Sequence, residues 1–329
     1  MRRVLVSLPL MLASVDALAA EEKAPPPLKV GIIGLDTSHV TAFTDLFNKK
    51  GNTGALANIR VVAAYPGGSP DLPISADRIE GFTKTLREKH GVEIVGSIPE
   101  LLKKVDVVLL ESVDGRVHLE QARPVFEARK PVFIDKPVAA SLADTIEIFE
   151  LASKHKAPCF SSSSLRFSDK LKGLASHPDI GRLKQCDTTG PVSPLKGHPE
   201  LFFYGIHGIE MLFTVLGPGC ESVRWKDGVV TGTWKDGRVG TFRADKKYTA
   251  RVTGDKGTAE SGGGDYNGLV RAIAGFFRDG KPPVSAEETI NLVAFMEAAE
   301  ESKKNDGKDV SIAEVMKKAR AVIEARRKK

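Results

Sequence analysis

From Leu28 the chain falls into short apolar runs separated by amphipathic stretches. Leu28–Gly34 (LKVGIIG) is nearly continuous in apolar and β-branched residues, stops at a glycine and passes into the polar Asp36-Thr37-Ser38. A strand covered on both faces loses its polar alternation, so this run predicts a buried parallel strand feeding a helix N-terminus. The pattern returns at Ile59–Tyr65, Val105–Leu110, Pro131–Ile134 and Ala157–Ser161, with helical periodicity between them at 40–50, 76–90, 98–104, 118–128 and 142–155. Strands alternating with helices imply right-handed crossovers and a doubly wound parallel sheet over residues 28–160.

After Arg166 the pattern changes. A helical stretch at 205–216 gives way to β-rich pieces at 222–225, 229–234, 239–244 and 249–254, and Asp236-Gly237 supplies the positive φ that a hairpin turn needs. Helices at 266–278 and 287–303 follow. Residues 161–310 are therefore expected to form an α+β domain on a largely antiparallel sheet, with a basic C-terminal helix over 311–329.

The N-terminus and the charge refine this picture. Arg2-Arg3, the apolar Val4–Ala13 and the small residues Ala17 and Ala19 read as a signal peptide over residues 1–19, followed by a Glu- and Pro-rich linker over 20–27. A secreted or periplasmic protein is expected. Net charge is +6 over 329 residues; cleavage leaves +5, and Met316–Lys329 alone carries a surplus of +6, so the remaining body is about −1. With basic charge confined to one tail and 6% aromatic residues, a nucleic-acid face is not expected. No apolar run after the first twenty residues is long enough to span a membrane. Cys159, Cys186 and Cys220 are too scattered for a disulfide scaffold, and leave either one bridge or three buried thiols.

Ligands of a doubly wound sheet bind at the carboxyl ends of its strands. A dinucleotide turn would read G-x-G-x-x-G, and the frame from Gly34 gives Gly34, Asp36 and His39 at the three glycine places. A carboxylate at the second place repels phosphate oxygens at short range. Asp36-Thr37-Ser38 also suits simple helix capping, and the Thr37 and Ser38 hydroxyls with the free N–H groups of the first turn could face an anion. Asp36 and His39, or His207 with Glu210, offer metal-ligating residue types but do not complete a site.

Farther along, VFIDKPVAASLADTIEIFELASKHKAPCF resembles the Glu-Lys-Pro region of the Gfo/Idh/MocA oxidoreductase family, with Asp135-Lys136-Pro137 in those places. SLRFSD around Arg166, GIHGIEMLFTVLG, VTGDKGTAE and GFFRDGKPPVSAEETINLVAFMEAAEES follow the same family's order and spacing, so the resemblance runs from about Leu28 to Val310. It implies a Rossmann domain carrying NAD or NADP, a second-domain sheet that mediates homo-oligomer formation, and a sugar, cyclitol or sugar derivative bound between the domains. The family's lysine and histidine roles fall on Lys136 and His207. An ammonium would stabilise a developing oxyanion while an imidazole accepts the hydroxyl proton. The candidate cofactor contacts are Gly31, Gly34, Thr37, Ser38 and Lys136, and the candidate substrate contacts are Arg166 and Glu210. His118, which opens a helix, is expected to be structural or at the cofactor's edge.

Three departures accompany the resemblance. The glycine turn is altered. The second strand ends Ala64-Tyr65-Pro66-Gly67-Gly68 without a ribose-binding acid, and Phe203 stands where the family often places an Asp to orient the histidine. Two functions follow. One is an NAD(P)-dependent oxidoreductase acting by hydride transfer; outside the cell it would have to hold its dinucleotide tightly. The other is an exported carbohydrate-binding pseudo-enzyme that no longer binds nicotinamide cofactor.

Overall fold

The structure, a computed structural model, describes residues 26–328, so the expected signal peptide and most of the linker lie outside the described residues. The first domain contains β1 (Leu28–Ile33), α1 (His39–Phe47), β2 (Ile59–Tyr65), α2 (Pro73–His90), β3 (Glu93–Ile94), α3 (Ile98–Leu102), β4 (Val107–Leu110), α4 (His118–Glu127), β5 (Val132–Ile134), α5 (Leu142–His155) and β6 (Cys159–Ser161). Its strands are parallel, in the order β3-β2-β1-β4-β5-β6. That is the doubly wound order, whose reversal beside β1 leaves a crevice above the strand ends. Alternate strand residues face opposite cores: Ile33, Val108, Leu110 and Ile134 pack towards α4 and α5, whereas Val30, Ile32, Leu109 and Phe133 pack towards α1. Burial on both faces is why these segments read as unbroken apolar runs.

The chain continues through α6 (Asp169–Lys172), β7 (Leu183–Gly190), α7 (Ile206–Leu216), β8 (Cys220–Lys226), β9 (Val229–Trp234), β10 (Val239–Ala244), β11 (Thr249–Gly254), β12 (Thr258–Gly262), α8 (Asn267–Asp279), α9 (Ala286–Lys304), β13 (Val310–Ser311) and α10 (Ile312–Arg327). The second sheet has the order β12-β11-β7-β10-β9-β8-β13 and is antiparallel except where β10 pairs with β7. Val230, Phe242, Val252 and Trp234 bury one face against α7 and α9, and the opposite face carries Thr233, Arg243 and Arg251 in exposed positions. Strands β7 and β12 were not expected from the sequence, because their alternation uses Thr, Asp, Glu and Gly rather than β-branched apolar residues.

Helix α8 comes late in the chain yet packs on the first sheet. Phe276 meets Phe160 edge to face at 4.9 Å, and Leu269, Val270 and Ile273 join the same core as Phe43. The basic tail is likewise explained by local pairing: on α10, Arg326 pairs with Asp144 at 2.5 Å and Arg327 with Glu150 at 2.7 Å, both acids belonging to α5. All three cysteines are free and buried, and burial pushes the Cys220 thiol up to about 12.

Candidate functional site

A cavity of about 500 Å³ opens at the carboxyl ends of the first sheet, between the two domains. Three pieces of chain build its reactive wall. The turn after β1 contributes Thr37, Ser38 and His39, the end of β5 contributes Asp135 and Lys136, and the start of α7 contributes Phe203, Tyr204 and His207. Leu201–Gly205 forms a π-turn entering α7, which projects Phe203 and Tyr204 into the cavity one turn ahead of His207. Gly208 lets α7 lie close on the second sheet, because a Cβ there would meet the Phe242 ring at 2.3 Å.

Lys136 and His207, named from sequence as the catalytic pair, therefore meet in one cavity although they come from different domains. The Lys136 ammonium lies 5.4 Å from the Phe203 ring centre and 5.5 Å from that of Tyr204, within cation–π range. Burial lowers the Lys136 pKa, and the neighbouring Asp135 carboxylate opposes that shift. His207 Nδ1 bonds the Ser163 hydroxyl at 2.7 Å, with the rings of Tyr248 and Tyr204 centred 5.5 and 6.2 Å away. Burial, then the Lys136 and His39 charges, hold His207 well below the usual imidazole range, against the opposing pull of Asp135. His207 is consequently neutral and a weak base. Phe203, buried at the relay position, gives it no carboxylate.

A carboxylate–imidazole pair lies elsewhere in the cavity. His39 Nδ1 is 2.6 Å from Asp135 Oδ2, and the His39 ring stacks on Phe43 at 5.0 Å and meets Tyr266 edge-on at 4.9 Å. Burial raises the Asp135 pKa, but His39 and Lys136 more than offset it, so the carboxyl is held below its ordinary value. In the sequence His39 counted only as a failed glycine and a stray metal ligand, and Asp135 only as part of a strand-end motif. The available signal was an imidazole standing where helix packing calls for a small residue.

The remaining sequence candidates lie elsewhere. Gly31 is inside β1, where Val105 and Leu101 side chains pack against it, and it does not face the crevice. Arg166 and Glu210 bind each other: the Arg166 Nε donates to Glu210 Oε1, its Nη1 donates to Glu288 at 2.5 Å, and Ser162 Oγ donates to Glu210 at 2.7 Å. Neither residue is among those lining the cavity; together they form an internal ion network joining α7 and α9. His118 is fully buried, with Nε2 2.8 Å from the Ser112 carbonyl, and is structural. Among the described residues no group of three His, Cys, Asp or Glu side chains could hold a metal ion.

The nicotinamide end of a dinucleotide would find Lys136, Thr37, Ser38 and the N-terminus of α1 at hand. Its diphosphate end would not find an open cradle. Gly34 has φ +87°, and a Cβ on it would lie 2.2 Å from Ser112 Oγ, so its glycine character serves packing against the turn after β4. Asp36, at the second glycine place, has 0% exposure; it accepts from Val113 N–H at 2.8 Å and from Ser75 Oγ at 2.7 Å. Burial raises its pKa despite those two bonds. Beyond it, Ser69 Oγ donates to Asp114 at 2.5 Å, Arg116 bridges Asp114 and Asp71, and His198 of the second domain accepts from Gly115 N–H at 3.0 Å. Burial raises the Asp114 pKa, but Arg116 and Ser69 outweigh it and hold the carboxyl at about 2. The loops that would flank the adenosine are thus tied to one another. In this arrangement a dinucleotide could lie along the turn only once the Asp36 carboxylate leaves Ser75 and Val113.

The family model described as oxidoreductase family, NAD-binding Rossmann fold, matches residues 28–163. No curated protein matches the chain. Among solved structures, a probable dehydrogenase from Thermotoga maritima is 21% identical, with 88% of this chain and 100% of that chain covered at a TM-score of 0.71. A scyllo-inositol dehydrogenase from Lactobacillus casei with bound NAD(H) and scyllo-inositol is 16% identical, covering 87% and 99% at 0.69. The WlbA dehydrogenase from Bordetella pertussis, in complex with NADH and UDP-GlcNAcA, is 15% identical, covering 87% and 98% at 0.68. At these identities the likeness establishes the two-domain fold.

Proposed function

We propose that the chain, whose residues 28–163 match the family model described as oxidoreductase family, NAD-binding Rossmann fold, acts on a sugar, cyclitol or sugar derivative held in the cavity between its domains, as an NAD(P)-dependent oxidoreductase of the Gfo/Idh/MocA kind that its sequence resembles. The observation that carries this reading is the meeting of Lys136 and His207, from two domains, in one cavity walled by Tyr204 and Tyr248. Aromatic faces and a few directional polar groups suit a polyhydroxylated ligand. In this reading Lys136 stabilises negative charge on the reacting oxygen and His207 holds the neighbouring hydroxyl. Solved relatives of the same fold that carry NAD(H) with scyllo-inositol, or NADH with UDP-GlcNAcA, support that substrate class.

The second reading, a carbohydrate-binding protein without nicotinamide cofactor, is favoured by one observation: the buried Asp36 carboxylate tied to Ser75 and Val113. Those bonds weigh against tight retention of a dinucleotide, since the carboxylate must first leave them. Denaturing the purified chain and identifying what it releases by absorbance and mass spectrometry separates the readings. One NAD or NADP per chain supports the oxidoreductase. An empty chain with no thermal shift at saturating NAD or NADP supports the second reading. Export, from the N-terminal sequence alone, and a homo-oligomer formed through the open face of the second sheet complete the proposal.

A further inference from the structure

The cavity holds the parts of a proton-transfer site that needs no dinucleotide. His207 is bonded through Nδ1 to Ser163 and has no carboxylate partner, since position 203 is Phe. His39, across the cavity, has its Nδ1 on the buried Asp135 carboxylate, an arrangement that fixes the tautomer and leaves Nε2 as the reactive nitrogen. The groups facing His39 are Asp135 and Lys136 from the end of β5, Tyr266 at the start of α8, Phe43 on α1, and His207 across the space. Lys136 follows Asp135 directly, so a base and an oxyanion-stabilising cation enter the cavity from adjoining positions.

We propose that His39, oriented by Asp135, removes the proton from a carbon next to the carbonyl of a keto-sugar or keto-cyclitol, while Lys136 holds the resulting enediolate oxygen. The His39 Nε2 lone pair takes the proton, the C–H electron pair becomes the carbon–carbon double bond, and the carbonyl π pair moves to oxygen. Return of a proton to the same carbon regenerates the ketone or its epimer, with no oxidant, reductant or co-reactant consumed. The proposal rests on the reading that a sugar or cyclitol occupies this cavity, and is independent of whether a dinucleotide binds.

The test uses the full chain without added dinucleotide, in deuterium oxide, with an inosose and a ketohexose as probes. Proton NMR follows loss of the signal adjacent to the carbonyl, and saturation transfer reports binding of the same ketone. Wild type is expected to bind and to exchange the proton above the buffer rate. His39→Asn should slow exchange by about 10²-fold or more while binding persists, this being the ordinary contribution of a positioned base. Asp135→Asn should slow it as well, and added imidazole should restore exchange to His39→Ala, which a merely structural histidine would not show. Ketone bound without exchange in wild type, or full exchange in His39→Asn, overturns the proposal alone. Failure of any sugar, cyclitol or ketone to bind overturns the substrate class and the proposal together.

Discussion

Replacing Asp36 by Gly is expected to raise the chain's affinity for NAD or NADP. The carboxylate, at the second glycine place of the turn, is bonded by Val113 N–H at 2.8 Å and Ser75 Oγ at 2.7 Å. A dinucleotide must displace it. Each hydrogen bond to a charged group is worth about 1.5–3 kcal/mol net, so opening both costs roughly 3–6 kcal/mol. At 1.4 kcal/mol per decade this weakens binding by about 10²–10⁴-fold relative to a chain with nothing to open. Glycine also removes the charge from beside the phosphates. Isothermal titration of wild type and Asp36→Gly with NAD and NADP checks this, with Asp36→Asn as the variant that keeps the bulk and loses the charge. Equal affinity in wild type and Asp36→Gly, or a wild type already saturated on purification, would refute the reasoning that the Asp36 bonds close the crevice.

Other consequences concern charge buried around the same sheet end. Glu111 is fully buried, neither of its carboxyl oxygens has a hydrogen-bond partner, and burial followed by Asp135 and Asp36 raises its pKa well above the ordinary value. Because the folded chain holds that proton more firmly than the unfolded one, its contribution to stability is full below the unfolded pKa of about 4.3 and declines as pH rises through the folded pKa. Glu111→Gln should therefore flatten the fall of Tm with rising pH above about pH 5, and an unchanged Tm–pH curve would count against a protonated Glu111. Arg166→Met leaves Glu210 and Glu288 without their shared cation in a largely buried network. Denaturant unfolding should show a loss of about 3–5 kcal/mol. Neutralising Arg326 and Arg327, whose pairs with α5 are about half exposed, should cost about 1 kcal/mol or less by the same assay.

How much of this could be read along the chain depended on the kind of signal. The parallel sheet was legible because LKVGIIG, IRVVAAY and VVLL are buried on both faces and show unbroken apolar runs. Strand β7 was hidden because its inward residues include Cys186, Thr188 and Gly190, small or polar groups packed beneath helix α7. Lys136 and His207 were legible through motif order, since spacing along the chain mirrors the fold that unites them. Arg166 and Glu210 carried an equally good motif signal, but the sequence does not show that each would be engaged by the other. The His39–Asp135 pair joins residues 96 positions apart, and only the folded sheet, with β1 and β5 on either side of β4, brings them to 2.6 Å. Asp36 was recognised as an obstacle; its partners, Ser75 in the first turn of α2 and Val113 in the turn after β4, come from segments whose closeness has no local signature.

The measurement that bears most directly on the account is a crystal structure of the full chain with a bound sugar, cyclitol or keto-cyclitol, read beside the binding of the same ligand by Lys136→Met. The account predicts density in the interdomain cavity with a ligand oxygen in hydrogen-bond reach of Lys136 Nζ, and weaker binding by the variant. Ligand seated elsewhere on the surface, or undiminished binding by Lys136→Met, would contradict it.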